Sequence, residues 1–371
     1  MFTGIRSAIR NAKSKISPAR SPLSSQRVEM PSPGLYHYLH QQDGERSRVH
    51  LRVDAGYAGN ESHGVLLINA SRVLHLNPTA TFMAYLALQE TPEAQAINAI
   101  KHSYQVTKTQ ARHDYVQFID QLDQLIRPDG VCPIHDLEIE ITPPFSARPS
   151  APYRMDLAIT YRCNNNCAHC YNARPRDYPE LPTQQWVRII DRLWEIGIPH
   201  VVFTGGEPTL RADLPELIAH AEQVGQVTGL NTNARRLSDA GFVQKLVDAG
   251  LDHVQVTVES HDPDIHDGMV RAKGAWEQTI AGLRNALDTP LYVMTNTTML
   301  RENSPELGNT LDFFAKFGVP TVGLNALIYS GHGLSVGTGL QESELPLLLD
   351  QAREHTGDHD QRLIWYTPTQ Y

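Results

Sequence analysis

Between Met155 and residue 328 the chain alternates two apolar periods. Compact apolar runs at 155–161, 200–204, 227–232, 253–258, 291–298 and 320–328 read as strands. The segments between them carry apolar residues at helical spacing. Val187, Ile190 and Trp194 form one stripe, Trp276, Ile280, Leu283 and Leu287 a second, and Leu307, Leu311, Phe314 and Phe317 a third. Gly197, Gly250 and Gly318 stand where helices should stop, since glycine takes the left-handed closing conformation without steric cost. Six such strand–helix units predict parallel strands joined by right-handed crossovers. The expected fold class is α/β, a partial (β/α)6 TIM-like barrel over residues 155–345, with an open doubly wound sheet as the other arrangement.

Upstream the pattern differs. Residues 64–78 read as two short strands around an Asn-Ala-Ser turn. Helical spacing follows at Phe82, Tyr85 and Leu86, then over Pro92–Tyr104 with Ala96, Ile97 and Ile100. A third helix spans Thr107–Ile126 with Val116, Phe118, Ile119, Leu122 and Leu125, and Thr107 is placed to cap it. A hairpin and three helices predict a small winged-helix-like α+β domain at 60–130. Residues 139–154 read as a linker, and 346–371 as the start of a C-terminal extension. In the first thirty residues, Arg6, Arg10, Lys13, Lys15, Arg20 and Arg27 precede any acid. Ser and Pro fill 17–33, so 1–33 reads as a basic, disordered tail. A membrane-surface or targeting helix carrying Phe2, Ile5, Ile9 and Ile16 is the alternative.

Composition narrows the classes. The 371 residues are 41% hydrophobic and 20% charged, with net charge −9, which argues against a nucleic-acid partner. Between Val65 and Ile126 the cations are Arg72, Lys101, Lys108 and Arg112, offset by acids, a poor phosphate-binding face. No apolar run is long enough for a transmembrane segment. The four cysteines include three crowded together, which is not a disulfide framework. Free thiols at metal spacing point to a reducing compartment, the cytoplasm.

The candidate chemistry lies at the strand ends. Cys163, Cys167 and Cys170 occur in CNNNCAHCY, directly after the first strand. Three thiolates can each hold one iron of a cubane cluster that usually takes four, leaving one iron open. The alternative is structural zinc with His169 or Cys132 as fourth ligand, but zinc sites usually draw two ligand pairs from separate segments. The second strand runs into Gly205-Gly206-Glu207, the third into Asn231-Thr232-Asn233 and the fourth into Glu259-Ser260. Two glycines let backbone approach closely, and a carboxylate complements an ammonium. Strand C-terminal ends are where barrels gather reactive groups.

CNNNCAHCY followed by FTGGEP resembles the radical S-adenosylmethionine (SAM) superfamily over about residues 153–330. The resemblance implies a 4Fe–4S cluster on Cys163, Cys167 and Cys170, with S-adenosylmethionine chelating the open iron. It implies that Gly205, Gly206 and Glu207 meet the cofactor's amino group. Asn231 falls where related enzymes place a cofactor-contacting strand end. Thr257, Glu259 or Ser260 would take the ribose hydroxyls, and Arg271 the cofactor carboxylate. Asn296 and the Gly-His-Gly at 331–333 are weaker candidates. The chemistry implied is reductive cleavage to a 5′-deoxyadenosyl radical that takes a hydrogen from substrate, fed by an electron donor such as a flavodoxin or ferredoxin.

GVLLINASRVLHLNPTATFMAYLAL resembles the small peptide-chaperone domain of pyrroloquinoline quinone biosynthesis. Such domains bind a precursor-peptide leader as an added strand, here expected along Val65 to Ile68. A DNA-binding winged helix is the bland alternative. Together these imply a peptide-modifying radical enzyme. The rivals are radical chemistry on a tetrapyrrole or other small cofactor, and a non-catalytic peptide-binding protein on a barrel scaffold. LIWYTPTQY resembles the approach to a cysteine-rich auxiliary domain. The expectation is either a truncated sequence or an enzyme working with one cluster.

Overall fold

The computed structural model describes residues 29–42, 45–54, 63–69, 72–126 and 150–366. The basic segment 1–28, Cys132, residues 139–149 of the linker and 367–371 lie outside the described residues. Two compact units are present.

In the first unit, β1 (Gly34–Gln42), β2 (Glu45–Asp54), β3 (His63–Ile68) and β4 (Arg72–Leu76) form an antiparallel sheet in that order. Helices α1 (Pro78–Leu88), α2 (Glu93–Tyr104) and α3 (Lys108–Ile126) follow. The Asn77 side chain caps α1 by accepting from the Ala80 amide at 2.8 Å, and Thr107 accepts from the Gln110 amide at 3.2 Å. The sheet packs Val49, Leu51, Leu66, Ile68 and Leu74 against Ala84, Leu88, Leu122 and Leu125. A second cluster, Phe82, Leu86, Ile97, Ile100 and Tyr115, joins the helices. The expected hairpin, β3 and β4, is thus half of a four-stranded sheet. Val65 to Ile68 are not an edge: β3 is hydrogen-bonded to β2 on one side and β4 on the other. Among the described residues the outer strands are β1 and β4.

In the second unit, strand and helix alternate: β5 (Arg154–Thr160), α4 (Thr183–Glu195), β6 (His200–Gly205), α5 (Leu214–Val224), β7 (Val227–Thr232) and α6 (Ala240–Asp248). Next come β8 (His253–Thr257), α7 (Pro263–Val270), α8 (Ala275–Leu287), β9 (Tyr292–Thr298), α9 (Leu307–Lys316) and β10 (Thr321–Asn325). Helix α10 (Leu345–Asp358) and β11 (Arg362–Tyr366) end the series. All pairings are parallel, in the order β11-β10-β9-β8-β7-β6-β5. Gly197, Gly250 and Gly318 have φ of 91°, 96° and 79° and stop their helices as expected. The sheet has seven strands rather than six, because the segment read as an extension supplies α10 and β11. Among the described residues β5 and β11 do not pair, so the barrel is open. Val202, Phe203, Leu230, Val254, Val256, Val322 and Leu324 are buried, as strands covered on both faces require. No helix among the described residues is long and apolar enough to cross a membrane.

Candidate functional site

The C-terminal strand ends surround a cavity of about 510 Å³. Cys163, Cys167 and Cys170 line it together with Gly205, Gly206, Asn231, Thr257 and Glu259. Glu207, Ser260 and Arg271 do not line it.

The cysteine loop leaves β5 and is held from several sides. The Arg176 guanidinium donates to the carbonyls of Cys163 and Asn165. Arg235 donates to the Asn164 carbonyl at 2.6 Å and to Asn165 Oδ1 at 2.8 Å, and Asn233 Nδ2 donates to Asn164 Oδ1 at 2.7 Å. The amides of Asn166 and Ala168 donate to the carbonyls of Val270 and Met269, at 3.0 and 2.9 Å. His332 braces the far side, its amide donating to the Cys170 carbonyl at 2.9 Å and Nδ1 lying 3.0 Å from the Cys167 carbonyl. Gly331 has φ of 56°, and a Cβ there would meet the Tyr171 carbonyl at 2.7 Å. The Gly-His-Gly segment is therefore a brace for the loop.

At the end of β6, the Gly206 amide donates to the Thr160 carbonyl and the Glu207 amide to the Arg162 carbonyl, both at 2.7 Å. A Cβ on Gly206 would lie 2.6 Å from the Tyr161 carbonyl oxygen, so the two backbones approach as only glycine permits. The Glu207 carboxylate turns inward and is 1% exposed. Its Oε1 accepts from the Thr209 amide and hydroxyl and from Thr232 Oγ1, at 3.1, 2.6 and 2.7 Å. Its Oε2 accepts from the Asn233 amide at 2.8 Å. Burial raises its pKa against these lowering bonds. Glu207 thus ties the end of β7 to the turn after β6.

Of the residues after β8, Ser260 is fully buried and its Oγ accepts from the Asp262 amide at 3.1 Å. Glu259 is also fully buried. Its Oε1 lies 2.9 Å from His169 Nε2, and its Oε2 accepts from the Thr298 amide at 2.8 Å. Burial opposes a charged His169 imidazole, but Glu259 outweighs it and raises the pKa. Arg271 is exposed, with φ of 50°, and closes α7. Thr257 remains on the cavity wall. Sequence reasoning overlooked Gln255, Thr298 and Asn325, which also line the cavity. The strand period of two, pairing Gln255 with Thr257 and Asn296 with Thr298 on one face, is the signal that finds them. Asn296 Oδ1 is buried without a hydrogen-bond partner.

Burial pushes the Cys163 and Cys167 thiols up, and the Glu207 and Glu259 carboxylates add to it. Thiols held neutral in this way ionise when a metal supplies positive charge. Among the described residues no three His, Cys, Asp or Glu side chains converge on a single-ion position. Three thiols opening into one cavity fit an iron–sulfur cluster, which takes cysteine thiolates as its ligands.

Residues 157–314 match the radical SAM superfamily profile, and residues 64–125 match that of coenzyme PQQ synthesis protein D (PqqD). Fe-coproporphyrin III synthase of Methanosarcina barkeri is 32% identical over 204 residues, 53% of this chain and 50% of that protein. PqqA peptide cyclase of Bradyrhizobium diazoefficiens is 33% identical over 212 residues, 55% of each. The matched stretches thus span about half the length of these relatives. The structure of Streptococcus suis SuiB bound to precursor peptide SuiA superposes with a TM-score of 0.58 at 14% identity, over 82% of this chain and 69% of that one. The fold is shared with it. Residues 157–314 are thus similar to the radical SAM superfamily, and residues 64–125 to the PqqD family.

Proposed function

We propose that this protein is a radical SAM enzyme that modifies a ribosomally made precursor peptide. The observation that carries the reading is the union, in one chain, of a PqqD sheet whose strand β4 pairs only with β3 among the described residues and a cysteine-lined cavity at a barrel mouth. Relatives named for PqqA peptide cyclisation support the substrate class. Strand addition needs a free row of backbone donors and acceptors, and β4 has one where β3 does not.

Cys163, Cys167 and Cys170 would hold a 4Fe–4S cluster. When bound, the cluster and S-adenosylmethionine supply one-electron chemistry that abstracts a hydrogen atom from substrate. Gly205 and Gly206 bring bare backbone to the cavity wall, where the cofactor's amino end would sit. Asn231 and Thr257 offer a carboxamide and a hydroxyl for its polar groups. Arg176, Arg235 and His332 hold the loop so that the three thiols keep one spacing. A flavodoxin or ferredoxin would supply electrons, and a reducing cytoplasm suits the free thiols.

Tetrapyrrole chemistry is the second reading, favoured by the similarity to Fe-coproporphyrin III synthase. The strand-borne wall opposes it. Asn231, Gln255, Thr257, Asn296, Thr298 and Asn325 are all uncharged, and of the two arginines on the loop side of the cavity, Arg174 and Arg176, the second is engaged by the Cys163 and Asn165 carbonyls, whereas porphyrin carboxylates call for several cations.

The test is anaerobic reconstitution with iron and sulfide, reduction, addition of S-adenosylmethionine, and assay of 5′-deoxyadenosine, with Cys163→Ala alongside. Product from the wild type alone supports the radical reading. Hydrogen exchange with a short peptide encoded beside this gene should protect residues 72–76. Conversion of iron coproporphyrin with no peptide protection would select the second reading.

A further inference from the structure

Resemblance would place Glu259 on the ribose hydroxyls of the cofactor. Its surroundings give it other partners. Each carboxylate oxygen has one partner, Oε1 His169 Nε2 at 2.9 Å and Oε2 the Thr298 amide at 2.8 Å, and the 0% exposure of the side chain leaves neither oxygen open to another. Its own backbone is fixed as well: its amide donates to His266 Nδ1 at 3.1 Å, and its carbonyl accepts from Asn303 Nδ2 at 2.7 Å. The carboxylate is fully buried and His169 is 9% exposed, so the pair has little access to water. His169 lies between Cys167 and Cys170 in the chain. Among the described residues its ring is the side-chain anchor from the second half of the cysteine loop to the segment after β8, because Arg176, Arg235 and Asn233 reach only residues 163–166 and His332 meets the Cys167 carbonyl from the other side. His169 Nδ1 is buried and without a partner in the protein.

We infer that Glu259 is a positioning residue for the cysteine loop: acting through His169, it sets the placement of Cys167 and Cys170, and it does not bind the ribose. Thr257 is then left to the cofactor, since Ser260 Oγ is engaged by the Asp262 amide. This rests on the cluster reading given above.

Two donors face Glu259, and a glutamine offers one oxygen only, so Glu259→Gln must leave either His169 or the Thr298 amide against an NH2 group. His169→Phe keeps the carboxylate and removes the tether. The reconstituted full-length protein is challenged with a ferrous chelator, and cofactor affinity is measured on the cluster-loaded fraction. The expected result is at least fivefold faster iron loss in each variant, cofactor affinity within twofold of wild type, and a double variant within twofold of the worse single one, because the pair acts as a unit. The midpoint potential should rise in Glu259→Gln, which loses a negative charge beside the loop. Wild-type iron retention in both variants would overturn the inference, as would a tenfold loss of cofactor affinity in Glu259→Gln. A wild-type protein that takes up no iron would overturn the cluster reading itself, and this inference with it.

Discussion

At the N-terminal ends of β6 and β8, His200 and His253 face each other with Nε2 atoms 2.8 Å apart. One ring must donate and the other accept, so a second proton leaves two donors in opposition. The His253 ring is enclosed, and a Cβ on Gly229 would overlap its Cε1 and Nε2. Desolvation, helped by Arg154, lowers the His253 pKa from 6.5 to about 4. An unfolded chain therefore takes the proton before the folded one does. Stability from the neutral ring is present above pH 6.5 and is lost as the pH falls towards 4. A shift of that size corresponds to roughly 3 kcal/mol in full, of which about 2 kcal/mol should be gone at pH 4.5. Urea unfolding of wild type and His253→Gln at pH 7 and pH 4.5 reads this directly. The wild type should lose about 2 kcal/mol more than the variant across that interval. Equal losses, within about 0.5 kcal/mol, would refute the assignment of the acid sensitivity to this ring.

Glu207→Gln should destabilise the protein by about 1–3 kcal/mol in urea unfolding, because one of the donors now facing two oxygens meets an amide nitrogen. A direct ammonium ligand would instead leave the cofactor-free protein unchanged. Gly206→Ala forces a methyl against carbonyls of the cysteine loop, and should abolish iron uptake while the far-ultraviolet spectrum persists. Asn296→Leu removes a buried polar atom with no partner, and should raise apo stability by about 1 kcal/mol while weakening cofactor or substrate binding, measured by calorimetry.

Six of the seven parallel strands were legible because each is a compact apolar run, and because α4, α6 and α9 stop at Gly197, Gly250 and Gly318, which have positive φ. Strands β1 and β2 are hidden. In β2 the period of two is present at Val49, Leu51 and Val53, but Arg48, His50 and Arg52 occupy the alternate positions. Those residues are 6%, 1% and 1% exposed, so burial follows neither charge nor hydropathy there. Arg52 is accommodated because Nη1 donates to the Ala151 carbonyl at 2.8 Å and its guanidinium lies 4.7 Å from the Tyr153 ring centroid. The cavity-lining cysteines and glycines were legible because their chemistry is written into contiguous motifs. The hydrogen-bond partners of Glu207 and Glu259 were not, since spacing does not say which way a carboxylate turns. Arg235 escaped for another reason, as it meets the loop from 70 residues away.

The brace at His332 reaches back 165 residues to Cys167. Synthesis proceeds at about 5–20 residues per second, so the thiols leave the ribosome roughly ten seconds or more before the segment that braces them exists. For that interval the loop has Arg176 and Arg235 in the chain behind it but lacks the His332 hold on Cys167 and Cys170. The complete set of hydrogen bonds around the three thiols is therefore assembled only late in the synthesis of this polypeptide, after about 165 further residues.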